Sequence, residues 1–184
     1  MLARRDKSQL LIVDVQEKLA PSVHDHVPVV ANCARLIGYA HRLGVPVTVS
    51  EHYPTGLGST VADLADILGG HAVRRQKIAF SCWRDEGLRA RLEALRQDGR
   101  SEVVVAGMET HVCVGQTVHD LLANGFDVFV VADAVSSRSP QTRELALYRM
   151  QQSGAAIVGH EMIAFEWLER ADVPEFRDVL KLLK

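Results

Sequence analysis

Residues 102–123 read EVVVAGMETHVCVGQTVHDLLA. The apolar run Val103 to Ala106 is short and rich in β-branched side chains, which suits a strand buried on both faces of a parallel sheet. A sharp turn at Gly107 is expected next. Beyond it Val114, Val118, Leu121 and Leu122 recur at i, i+4, i+7 and i+8, one core-facing helical stripe, and Asn124-Gly125 supplies a stop. On an ideal helix Cys113 points roughly 125° from the centre of that stripe, at about 100° per residue, so packing does not require it there. A thiol in the first turn of a helix meets unpaired N–H groups and the positive end of the macrodipole, which predicts a pKa lowered towards the thiolate. Read alone, the same residue is more often a small buried hydrophobe, as most free cysteines are. Its partners must decide.

Outward from this stretch the chain alternates strand and helix. Gln9 to Val13 is an apolar run ending in Asp14, and Pro28 to Leu43 carries Val30, Cys33, Ala34, Ile37 and Ala40 at helical spacing, closed by Gly44. Val45 to Val49 predicts a strand, SEHYPTGLGST (50–60) an irregular segment, and Val61 to Leu68 a short amphipathic helix. A weak strand at Ala72 to Arg75 leads into Gln76-Lys77, the loop IAFSCW and a charged helix from Glu86 to Gln97. After the central unit come a strand from Phe126 to Ala132, a helix from Pro140 to Ser153, a strand from Ala155 to Val158 and a helix from Glu161 to Glu169. The tail PEFRDVLKLLK has a small apolar face, Phe176, Val179, Leu180 and Leu183, suited to docking on a neighbour. Six β-then-α units without a composition break predict one domain over residues 1–184. The expected architecture is three-layer α/β/α around a six-stranded parallel sheet, with strand order 3-2-1-4-5-6. Ligands in such sheets bind at the carboxyl ends of the strands, where the order reverses.

Composition narrows the function. At 184 residues and 47% hydrophobic, a single domain buries about 70% of its unfolded surface and needs no metal or disulfide to fold. A formal charge of -2 gives no electrostatic case for nucleic acid or an acidic membrane. No apolar run reaches transmembrane length, and a first strand near residue 9 leaves no room for a signal peptide, so a reducing cytoplasm is the expected setting. Three cysteines without CxxC spacing support neither a disulfide framework nor a zinc knuckle.

Three reactive side chains fall where strands should end: Asp14 after the first, Lys77 after the third and Cys113 beyond the fourth. The predicted strand order brings Asp14 and Cys113 to one crevice. Cys113 would be the nucleophile, Asp14 the base that takes and returns its proton, and Lys77 a fixed positive charge. N–H groups of the turn GMETHVC would receive charge developing on a carbonyl oxygen. Each residue alone also has an ordinary reading, Asp14 as a cap and Lys77 as a surface lysine. Gln16 could orient the aspartate or substrate, or merely cover the crevice. His52 and Tyr53 in the segment 51–60, and Phe80 in the loop 78–84, would shape the pocket; Trp83 could line it or pack. Arg138 could meet a substrate carboxylate or form a surface salt bridge. His24 and His26 have a ligand-like spacing but open a helix, and GLGST lacks the further glycine and lysine of a phosphate loop.

The set IVDVQ at 12–16, K-x-x-F-S at 77–81 and GMETHVCVGQT at 107–117, with SEHYPTGLGST and VVADAVSSRS, resembles the isochorismatase-like cysteine hydrolase superfamily over nearly the whole chain. Within it the sequence is most similar to isochorismatase domain-containing proteins and related small bacterial hydrolases. The resemblance implies a catalytic Asp14, Lys77 and Cys113, a cis peptide at Met108-Glu109, and an oxyanion hole from the N–H groups of Glu109 and Cys113. It departs from the metal-dependent nicotinamidases, whose D-x-H pattern after the second strand is replaced here by Ser50, Glu51, His52 and Tyr53; His71 lies too far along to restore it. No metal and no cofactor are expected, a residual site near His52 or His71 being left open. Three functions fit in descending order: a hydrolase of a small amide through a Cys113 thioester, a weak or inactive relative acting as a binding or scaffold protein, and a flavodoxin-like nucleotide binder. A small-molecule substrate and a homo-oligomer are the expected partners.

Overall fold

The computed structural model describes residues 1–70 and 72–183. Strands β1 (Ser8–Val13), β2 (Val47–His52), β3 (Ala72–Lys77), β4 (Glu102–Met108), β5 (Asp127–Ser136) and β6 (Ala156–Val158) form one sheet in the order β3-β2-β1-β4-β5-β6. Every neighbouring pair is parallel. The helices are α1 (His26–Leu43), α2 (Pro54–Leu57), α3 (Ala62–Leu68), α4 (Glu86–Gln97), α5 (Gly115–Ala123), α6 (Pro140–Gln152), α7 (His160–Leu168) and α8 (Phe176–Leu183).

Strand side chains alternate between two apolar clusters, which is why the strands read as unbroken hydrophobic runs. Leu10, Ile12, Val104, Ala106, Phe129 and Val131 pack with α1, α3 and α7 on one face. Leu11, Val13, Val103, Val105, Val128 and Val130 pack with Leu88 and Leu92 of α4, Val118 and Leu121 of α5 and Met150 of α6 on the other. Side-chain caps set two helix starts: Asp85 accepts from Leu88 N at 3.0 Å, and Ser139 accepts from Thr142 N ahead of Pro140.

Three expectations change. β2 runs on through Ser50 to His52, because its backbone pairs with β1 as far as Ser50 and with β3 as far as His52. Gly107 lies inside β4 rather than at a turn; it has φ +120°, and a Cβ there would sit 2.0 Å from the Val13 carbonyl oxygen. Only glycine lets β4 approach β1 so closely, and the pairing with β5 shifts register at the same point. The tail does not await a neighbour: α8 folds onto α1, with Val179 fully buried and Leu182 filling the space over Gly38.

Candidate active site

The order of strands reverses between β1 and β4, and Asp14 leaves the sheet at that point. Its φ of +51° is a sparsely populated conformation for a residue with a side chain, of the kind that concentrates at functional sites. The carboxylate is fully buried, its Oδ1 accepting from the Ser50 hydroxyl at 2.6 Å and its Oδ2 from Lys77 Nζ at 2.6 Å. Lys77 ends β3, two strands away; with strands about 4.8 Å apart, only a long side chain reaches across the end of β2. Its ammonium also donates to the Phe80 carbonyl at 2.9 Å. Burial works against the Lys77 charge, but Asp14, with smaller contributions from Cys82 and Cys113, outweighs it and holds the ammonium above its ordinary range.

Cys113 follows β4 through a π-helical turn, Thr110–Val114, and is 5% exposed. The projection that left it off the packed face assumed an α-helix; the wider turn places it against the α4–α6 side of the core. Its acidity also departs from expectation. Burial pushes the thiol up, the Asp14 carboxylate beside it adds to the rise, and Lys77 only partly opposes it. Cys113 therefore rests as a thiol within reach of a carboxylate.

The Met108–Glu109 peptide is cis. The Glu109 carbonyl accepts from Val112 N and Val114 N at 3.0 and 3.2 Å, closing the turn. The almost buried Glu109 carboxylate is gripped by Arg138 through Nε at 2.9 Å and Nη2 at 3.2 Å. Alongside, His111 Nδ1 meets Ser137 Oγ at 2.9 Å. Arg138 thus pins the turn that carries Cys113 to the exit of β5 and is not left free for a substrate carboxylate.

Gln16 braces the segment after β2. Its amide donates to the carbonyls of His52 (3.0 Å) and Gly58 (2.7 Å), which commits both of its N–H groups, and accepts from His52 N (2.7 Å). The GLGST segment is closed the same way, by Thr60 N and Oγ1 donating to the buried Glu51 carboxylate. Trp83 packs edge-on against Phe126. His52, Tyr53 and Phe80 do gather near Lys77: the His52 ring lies 5.3 Å from Phe80, Tyr53 N donates to the Lys77 carbonyl, and Tyr53 and Phe80 are half exposed. Burial, then Lys77, keeps His52 neutral, and its buried Nδ1 has no hydrogen-bond partner among the described residues.

His24 pairs with Asp25 and His26 begins α1; among the described residues no group of three or more His, Cys, Asp or Glu is arranged to hold a metal. His71 lies outside the described residues. Sequence reasoning missed Ser50 and Cys82. Ser50 is legible from topology, since it pairs with Val13 on the neighbouring strand, directly before Asp14. Cys82 Sγ lies 3.4 Å from Ser50 Oγ, and burial, then Asp14, pushes its thiol up to about 11.

The isochorismatase domain model matches residues 8–162. Isochorismatase domain-containing protein 2 of Xenopus laevis is 40% identical over 177 residues, 96% of this chain and 83% of the relative. A solved structure described as MAR1 ribonuclease from Caenorhabditis elegans superposes with a TM-score of 0.92 at 35% identity, covering 100% of this chain and 92% of the other. The Escherichia coli YcaC product, described as an octameric hydrolase of unknown specificity, shares the fold at a TM-score of 0.85 and 24% identity, covering 98% and 95%. Fold, order of motifs and relatives agree: the chain belongs to the isochorismatase family.

Proposed function

We propose that this chain hydrolyses a small, non-peptide amide through a covalent intermediate on Cys113. The observation that carries the reading is the fully buried Lys77–Asp14 pair, 2.6 Å apart, beside a buried thiol at the strand reversal. Asp14 takes the Cys113 proton as Sγ attacks the carbonyl carbon. The N–H groups of Glu109 and Cys113 receive the oxyanion. Collapse breaks the C–N bond, and Asp14 delivers the proton to the leaving nitrogen, releasing ammonia or an amine. Water then loses a proton to Asp14 and attacks the thioester; the C–S bond breaks, the acid product leaves, and Asp14 returns the proton to sulfur. Lys77 sets a fixed positive charge against Asp14, and Ser50 fixes its orientation. Esters and vinyl ethers are secondary candidates for the same site.

Tyr53 and Phe80 offer an apolar surface beside the site, which fits a substrate with a compact apolar body. The reading needs no metal or cofactor and assigns no nucleic-acid substrate: the net charge of -2 gives no phosphate-binding field. It places the protein in the cytoplasm as a homo-oligomer, for which exposed Tyr53, Ile78 and Phe80 supply contact surface. A screen of small amides for ammonia release, with Cys113→Ser and an RNA substrate as controls, tests it. Turnover lost in Cys113→Ser supports the hydrolase. Tight amide binding without turnover in the wild type favours the binding-protein alternative, and RNA cleavage contradicts both.

A further inference from the structure

Helices α5 and α6 leave a cavity of about 230 Å³ behind the turn that carries Cys113. His111, Gln116, His119 and Arg149 supply its polar wall, and exposed Leu145, over buried Ala146 and Met150, its apolar floor. No carboxylate lines it among the described residues. Nor does the Arg149 guanidinium make a hydrogen bond or ion pair among them. Its charge reaches His119, whose imidazole is held below its ordinary range by burial first and Arg149 second, against Asp120. Asp120 does not neutralise the cavity, because Arg84 holds both its oxygens at 2.8 and 3.2 Å. His111 has its Nδ1 engaged by Ser137 and keeps Nε2 to offer.

An uncommitted guanidinium above an apolar floor suits an anion that is planar at one end and apolar at the other. The guanidinium fork matches a carboxylate bidentately, and a compact hydrocarbon body would cover Leu145, which lines the cavity and is 69% exposed. A phosphate or sulfate would leave Leu145 bare. We propose that this cavity is a second ligand site, separate from the Cys113 crevice, for a small monocarboxylate with a compact apolar body. Carboxylic acids are also the class that amide hydrolysis releases, but the site stands on its own lining whatever Cys113 does.

The test is two-dimensional NMR of the intact chain titrated with benzoate, with benzamide as the neutral isostere. Saturable benzoate shifts are expected at Gln116, His119 and Arg149, with a dissociation constant in the millimolar range. Benzamide should bind these residues at least about tenfold more weakly, and Arg149→Gln should lose benzoate by a similar factor. Arg149→Lys, which keeps the charge without the fork, should fall between. Arg149 is exposed, and an otherwise unchanged spectrum verifies the fold. Titrating Cys113→Ser should give the same benzoate affinity, which separates this site from the fate of the hydrolase reading. Absence of saturable shifts, equal binding of benzamide, indifference to Arg149→Gln, or shifts centred on Asp14 and Lys77 overturns it.

Discussion

Cys33 and Cys113 are both buried thiols in apolar surroundings, yet only Cys113 lies beside a buried ion pair. Cys33 lies in α1 with its Sγ 3.5 Å from the Ala134 carbonyl, and burial, then Asp133, pushes it up to about 12. Cys113 is pushed the same way by burial and by Asp14. Acidity therefore does not distinguish the two. What separates them is that the carboxylate beside Cys113 is fully buried and paired with the Lys77 ammonium at 2.6 Å. A helix terminus alone does not overcome desolvation here, so in the proposed reaction activation falls to Asp14 as base.

The largest contrast should appear in turnover. On any amide that responds, Cys113→Ser should lower ammonia release by about a thousandfold or more. Cys33→Ala should leave the rate intact and cost about 1 kcal/mol of stability in urea denaturation. Equal losses of activity would erase the distinction between the two thiols.

Next in size is the burial of the ion pair. Asp14→Asn strands the Lys77 ammonium and should lower stability by about 3 to 5 kcal/mol. Asp14→Asn combined with Lys77→Met should recover part of that loss by removing the uncompensated charge, while activity stays absent. Arg138 supports the same site from outside: Arg138→Ala should reduce kcat by about ten- to a hundredfold through a loosened Glu109 turn, with KM little changed. The exposed Arg84–Asp120 pair serves as its control, because Arg84→Ala should leave kcat unaltered.

The smallest effect is alkaline. In the unfolded chain thiols ionise near 8.5, whereas Cys82 and Cys33 hold their protons to about 11 and about 12 when folded. The native state then binds more protons than the unfolded state, so stability is full below about pH 8.5 and falls as pH rises above it. Each thiol contributes at most about 1.4 kcal/mol per pH unit. Thermal midpoints measured from pH 8 to 11 should decline, and Cys33→Ala should decline less steeply.

Much of this was legible because apolar periodicity and strand count fix topology. The run at 103–106 read correctly as a doubly buried strand and that at 9–13 as an apolar run ending at Asp14, and the ends of β1 and β4 followed from their order. The bounds of α4, Glu86 to Gln97, were read correctly as well. Side-chain commitments were not legible. Gln16 reads as a crevice residue until its amide is found closing the segment after β2, and of the two readings of Arg138, a substrate contact or a salt bridge, Glu109 selects the salt bridge. The phase of Cys113 was misjudged because a π turn cannot be told from an α turn by spacing. Its acidity was misjudged because burial is a property of the packed neighbours and not of the local stretch.

The most direct measurement is the rate of iodoacetamide labelling at Cys113, near neutral pH, in the wild type and in Asp14→Asn, located by peptide mass spectrometry. Continued protection of Cys33 reports that the variant is folded. If Asp14 only repels a thiolate, removing its charge lowers the Cys113 pKa and labelling accelerates. If Asp14 is the base that takes the proton, Asp14→Asn should slow labelling by at least about tenfold. Slower labelling is the result this account predicts; acceleration, with Cys33 still protected, would contradict it.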